Sequence, residues 1–137
     1  MSVKIDQALV SAFVTGAFGL PVAHENTSYE PTPGTAHVLL TVLRNPAQAL
    51  SLGAGGMDET TGLLQATIRY PENAGAIAAK TKADELMGYF RIGRVFEHGG
   101  QRVQIVGKDR GTGRNQDGWY QLVTRFEFNA RTQRAAA

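Results

Sequence analysis

The side chains able to do chemistry are few in this sequence and widely spaced. The three histidines, His24, His37 and His98, fall in different segments. None stands three or four residues from a second ligand type on a helical pattern, the spacing that brings two donors onto one metal ion or one proton path. His37 alternates with the core-facing residues of a strand pattern, and His98 opens a Gly-Gly turn, so neither is expected to act as a ligand or a base. Asp84 and Glu85 are adjacent within a helical pattern. Their side chains diverge by ~100°, which excludes a carboxylate pair sharing a proton and leaves a solvated face as the expected role. The chain has no cysteine, which removes disulfides, thiolate nucleophiles and Cys-type zinc sites.

Two glycine-rich segments carry the remaining possibilities. Gly53-Ala54-Gly55-Gly56 would cradle a phosphate if it joined a strand to a helix N-terminus. Here Met57-Asp58-Glu59 and a second strand pattern follow, with no lysine at the spacing of a phosphate-binding loop. A flexible turn presenting Gly53, Gly55, Gly56, Asp58 and Glu59 to a partner is the expected role. A small phosphate-binding enzyme is the alternative. The second segment, Lys108 to Gly118, reads as a polar loop with Arg110 and Arg114 on it. Two guanidinium groups on a mobile loop suit acidic groups on a partner, or the phosphates of passing DNA.

The elements that must position these residues follow from periodicity. At 137 residues the chain fits one domain. Hydrophobic residues make up 42% and charged residues 19%, a globular composition with no apolar run long enough to span a bilayer. A formal net charge of +2, with acids and bases interspersed, argues against nucleic acid as the principal ligand. Val3 to Phe18 reads as an amphipathic helix through Val3, Leu9, Ala12, Phe13 and Gly16. Asp6 and Gln7 interrupt its apolar run, which favours a helix over a cleaved leader. A Pro-punctuated loop runs from Glu25 to Thr35. Ala36 to Leu43 is apolar on both faces and reads as a central strand; Ala47 to Leu52 reads as a short edge strand.

Thr60 to Tyr70 alternates, with Leu64, Ala66, Ile68 and Tyr70 on one face. Asn73 is the expected N-cap of a second helix, Ala74 to Arg91, whose buried side is Ala79, Ala83, Leu86, Met87 and Phe90. A hairpin turns at His98-Gly99-Gly100. The last strand, Trp119 to Asn129, points Tyr120, Leu122, Phe126 and Phe128 inward. The sum is an α+β domain over residues 1–129, a mostly antiparallel sheet with two principal helices packed against it. Residues 130–137 are expected to form a flexible C-terminal tail.

In sequence order these pieces resemble a known family. A first helix ending in GLPVAHEN leads to YEPTPGTAHVLLTVL and then to LGAGGMDETTGLLQATIRYPENAG. An alanine-rich helix with KADELMGYF follows. The order, from about Ile5 to Phe128, resembles the tail terminator-like family of siphophages, which includes the lambda-type terminators. The most specific part is the glycine-flanked strand running into Tyr70-Pro71-Glu72-Asn73-Ala74-Gly75. The resemblance implies a structural protein of the virion, assembled in the host cytoplasm and placed at the head-proximal end of the tail. It implies a hexameric ring that caps the tail tube, ends addition of the major tube protein and gives the head-tail connector a surface. It implies no cofactor, no metal and no catalytic residue, and allows non-specific DNA contact in the ring lumen. A different neck component, a head-completion or minor tail protein, is the nearest alternative.

Overall fold

The computed structural model describes residues 3–16, 18–24, 35–53, 55–73 and 75–133. The expected loop from Glu25 to Thr35 lies outside the described residues except for Thr35 itself. Among the described residues two helices, α1 (Lys4–Thr15) and α2 (Ala76–Tyr89), accompany eight strands. The strands are β1 (Val22–Ala23), β2 (His37–Arg44), β3 (Gln48–Ala49), β4 (Met57–Pro71), β5 (Val95–His98), β6 (Gln101–Arg110), β7 (Arg114–Gln116) and β8 (Trp119–Gln133). They form one sheet in the order β1-β2-β4-β8-β6-β5, with β3 beside β4 and β7 beside β8. Among the described strands only the two-residue β1 is parallel to its neighbour. The expected α+β class, with a mostly antiparallel sheet and two helices, is what the structure shows.

The long β4–β8 ribbon sets the sheet. Its register runs from Met57↔Gln133 to Pro71↔Trp119 without a break. Period two then sorts the side chains: Leu64, Ala66 and Ile68 of β4 and Leu122, Thr124, Phe126 and Phe128 of β8 fall on one face and are buried. β2 adds Val38 and Leu40, and β6 adds Val103 and Ile105. Helix α2 covers this face with Ala79, Ala83, Leu86 and Phe90, and the Phe90 and Phe126 rings lie 4.8 Å apart. Helix α1 buries Ile5, Ala8, Leu9, Ala12 and Phe13. Phe13 meets Phe18 at 5.0 Å, and Phe90 meets Phe96 at 5.4 Å, so aromatic rings join the helices to the edge hairpin.

Helix α1 also fastens the curl of the sheet. Arg44 at the end of β2 donates to Asp6 Oδ1 from Nη2 at 2.6 Å and from Nε at 3.0 Å. Lys4 Nζ donates to the Gly99 carbonyl, in the β5–β6 turn, at 3.1 Å. One helix is thus tied to strands near both sides of the sheet.

Several expected boundaries are corrected. Val3 lies outside α1 and is 65% exposed, because the buried phase runs through Ile5 and Ala8 instead. β2 is second in the sheet and not central. Asn73 does not cap α2: it and Gly75 both have positive φ, 69° and 92°, so the helix begins only at Ala76 with Gly75 in the cap position and no side-chain cap. β8 does not stop at Asn129. Ala130 is buried against Val103 and the ladder continues to Gln133, so the expected tail is shorter at its start; residues 134–137 lie outside the described residues. β6 carries a bulge between Ile105 and Gly107, after which Lys108 and Arg110 share the helix-covered face.

The packing yields one direct expectation. Phe126→Ala removes a fully buried ring against Phe90 and should cost ~3–5 kcal/mol, measured as a fall in the urea midpoint at constant m-value. An unchanged midpoint would overturn the assigned core.

Candidate functional site

The first glycine-rich segment is the tip of a long hairpin. β2 and β3 run along the same side of β4, interrupted at Asn45–Ala47, where Asn45 N donates to Thr61 O at 2.9 Å. Leu50 N donates to Met57 O at 2.8 Å, and the Ser51 hydroxyl accepts from Met57 N at 2.9 Å. Gly56 N donates to Gly53 O at 3.2 Å. Gly53 and Gly55 have φ of 95° and 74°, a backbone region that residues with a Cβ rarely adopt, which is why the turn is built from glycine. The segment leads into β4 and not into a helix N-terminus, so its amides have no helix dipole behind them for a phosphate. Asp58 and Glu59, expected on the loop, belong to β4, where Asp58 faces Ala49 and Thr132 and Glu59 faces Gln48 and Arg131. The tip itself carries Leu50, 46% exposed, and Leu52, 91% exposed. The glycines drew attention to this turn; the leucines between the edge strand and Gly53 are its more unusual content, and their position beside a glycine turn was the available signal.

The second segment is not a mobile loop. β6 extends to Arg110 and β7 covers Arg114 to Gln116. Asp117 and Gly118 both have positive φ, 53° and 81°, the pattern of a two-residue type I′ turn between β7 and β8. That Asp-Gly signal was present in the sequence. Gly113 lets the chain pass against Tyr120, since a Cβ there would collide with the Tyr120 ring and hydroxyl. Arg110 pairs with Thr124 on the helix-covered face, and its guanidinium lies 3.7 Å from Asp84 of α2. Both partners are exposed, so this ion pair contributes only ~0–1 kcal/mol. Arg114 pairs with Gln121 on the face opposite the helices. The two arginines therefore cannot grip one partner side by side. Asp84 is solvated, as expected, apart from this contact.

The candidate contact residues fall at the two ends of the ribbon. Glu59 faces Arg131 and Arg114 faces Gln121, ten residues apart along β8 and about 33 Å at ~3.3 Å per residue. Arg110 lies between, and the structure brings none of the Gly53–Glu59 group near it.

A third cluster lies on the face of the sheet opposite the helices. His37 is fully buried and sets its ring edge-on to Trp119 at 4.7 Å. Beside it, the Gln121 amide oxygen accepts from Arg69 Nη2 and Nε, each at 3.2 Å, once the amide is oriented to satisfy the guanidinium. Burial holds the His37 pKa below the usual histidine value; the Thr35 carbonyl contact opposes this and the Arg69 charge adds to it. Among the described residues no three acidic or histidine side chains gather as a metal site. No helix among them is long and apolar enough to cross a membrane.

Comparison with known proteins now fits this geometry. Ten chains of solved structures match, and one of them superposes with a TM-score of 0.71 at 19% identity, covering 93% of this chain and 90% of that one. That likeness shows the fold. A search of curated proteins finds no match. A family model described as phage tail terminator protein matches residues 4–128. The chain belongs to the phage tail terminator family. It is thus a bacteriophage tail component from a structural family and not from an enzyme family.

The buried histidine generates a pH dependence. A neutral His37 with a lowered pKa binds fewer protons folded than unfolded, so its contribution is complete above the unfolded value of about 6.5 and is lost as pH falls below it toward the folded pKa. The urea midpoint should decline from pH 7 to pH 5, and His37→Gln should decline less steeply. Equal slopes for the two proteins would remove His37 from the account.

Proposed function

We propose that copies of this chain close into a ring, hexameric as in lambda-type terminators, on the head-proximal end of the tail tube. The ring ends addition of the major tube protein and offers its other side to the head-tail connector. The observation carrying this reading is the separation of the two contact segments. A subunit with a protruding hairpin tip at one end of a rigid ribbon and a second turn at the other suits a part held between two axial partners. A ring also needs one heterologous contact repeated until it closes. Self-association is modest in dilute solution and strong on the tube, because a tight head-to-tail contact without a template would risk open polymers.

Arg114 is the remaining candidate for a contact with an acidic partner or with DNA in the lumen, since Arg110 is turned toward Asp84. Purified tubes growing from tube protein should stop lengthening when the chain is added, as measured by electron microscopy. Continued growth at the unaltered rate would sink the capping reading, and binding to head connectors alone would favour a different neck component.

Arg114→Glu should leave the melting temperature nearly unchanged, since exposed substitutions stay within about 0.5 kcal/mol, while lowering the yield of joined particles in vitro. Wild-type yield would remove Arg114 from the contact.

A further inference from the structure

We propose that Arg69 and Arg114, with Trp119 beside them, form a site for a carboxylate carried next to an apolar residue on the partner that meets the β7–β8 end of the chain. This deepens the reading of that end as a contact for an axial partner, and the partner's place rests on that reading. The register sets the site. On the face opposite the helices, Arg114 of β7, Gln121 of β8 and Arg69 of β4 stand in one row across three adjacent strands. His37 of β2 follows in the same row. The flanking rows, Gln116–Trp119–Pro71 and Val123–Thr67–Leu39, contain no acid. This corner of the sheet therefore carries two guanidinium groups and no carboxylate.

The remaining arginines of this face each stand beside an acid. Arg125 lies 3.4 Å from Asp109, Arg131 pairs across the strands with Glu59, and Arg102 with Glu97. Among the described residues neither Arg69 nor Arg114 forms an ion pair. Arg69 is half-buried, and a guanidinium partly withdrawn from water needs compensation. It has five N–H donors, and Gln121 engages those of Nη2 and Nε, each at 3.2 Å. That acceptor is a neutral amide, so the charge stays uncompensated, and its field adds to the lowering of the His37 pKa. Arg114 is exposed and stands two strand spacings from Arg69, about 10 Å at ~4.8 Å each. Two long side chains leaning inward close that gap around one anion.

The surroundings select the class of anion. A DNA backbone presents phosphates in a row and is met by a run of exposed cations. Here one cation is recessed, one is exposed, and the adjoining surface is indole and proline. A single side-chain carboxylate suits the guanidinium fork, which it accepts through two oxygens. Trp119 and Pro71 are cross-strand partners and both partly exposed, so they offer an apolar platform to the residue beside that carboxylate.

Trp119 is the chain's single tryptophan, so its emission reads the site directly. The full chain is titrated to millimolar concentration with a blocked peptide holding one glutamate beside one leucine. The same peptide with glutamine in place of glutamate, and a short DNA duplex, are titrated in parallel. The glutamate peptide should shift the emission saturably, and the glutamine peptide should bind about tenfold more weakly, having lost its charge-assisted contact. Arg114→Gln, and Arg69→Lys, which keeps the cation without its fork, should each weaken the glutamate peptide about tenfold. Arg125→Gln, on the same face but engaged by Asp109, should bind as wild type. Circular dichroism checks each fold; Arg114 is exposed, so Arg114→Gln decides the matter if Arg69→Lys unfolds. No saturable shift, equal binding of the two peptides, or wild-type binding by Arg114→Gln would overturn the site. A duplex that displaces the peptide and loses affinity in the same variants would overturn the carboxylate in favour of phosphate. A chain that caps tubes but binds no peptide removes this site alone, and one that binds the peptide but does not cap removes the ring reading alone.

Discussion

Along Met57–Pro71 and Trp119–Gln133 the backbone commits two strands to a single register, and that commitment decides where every other element goes. With period two fixed over fifteen residues, Leu64, Ile68, Phe126 and Phe128 must share one face, and water must be kept from it. The helices are the cover. Helix α2 supplies the small residues Ala79 and Ala83 and then Leu86 and Phe90, with the Phe90 ring 4.8 Å from that of Phe126. A slip of one residue would carry the phenylalanines to the bare face and leave the helices with nothing to pack on.

The same register explains which expectations the structure kept. The alternation in Thr60 to Tyr70 and Trp119 to Asn129 was legible because one face of each is covered by helices, and burial imposes a pattern on composition. The extensions were not legible. Asp58, Glu59 and Lys108 to Arg110 are polar residues whose strand conformation is supplied by ladder partners elsewhere in the chain. Nothing local marks them as strand, and the glycines and arginines among them read as loop. Asn73 misled for a related reason. It has a good capping side chain, but the chain takes a left-handed step at that residue and another at Gly75 before the helix starts.

The candidate site divides along the same line. The turn at Gly53 to Gly56 was visible as a glycine run, but its exposed leucines acquire meaning only when the surrounding strands show that the tip is held. Arg110 and Arg114, four residues apart in sequence, lie on opposite faces because a strand end, a turn and a new strand separate them. Sequence proximity is a poor guide to shared surface wherever the chain reverses between two residues.

The bulge between Ile105 and Gly107 acts on β6 as a change of parity. Before it, odd-numbered residues face the helices; after it, even-numbered residues do. Lys108 thereby reaches the Met87 carbonyl at 2.9 Å and Arg110 reaches Asp84, so the strand's far half docks onto α2 by charge where its near half docks by Val103 and Ile105. The same residues paired without the bulge would set Asp109 opposite Thr124, toward Asp84, and send both cations to the opposite face. The bulge in β6 is therefore an electrostatic variable of the fold as well as a geometric one.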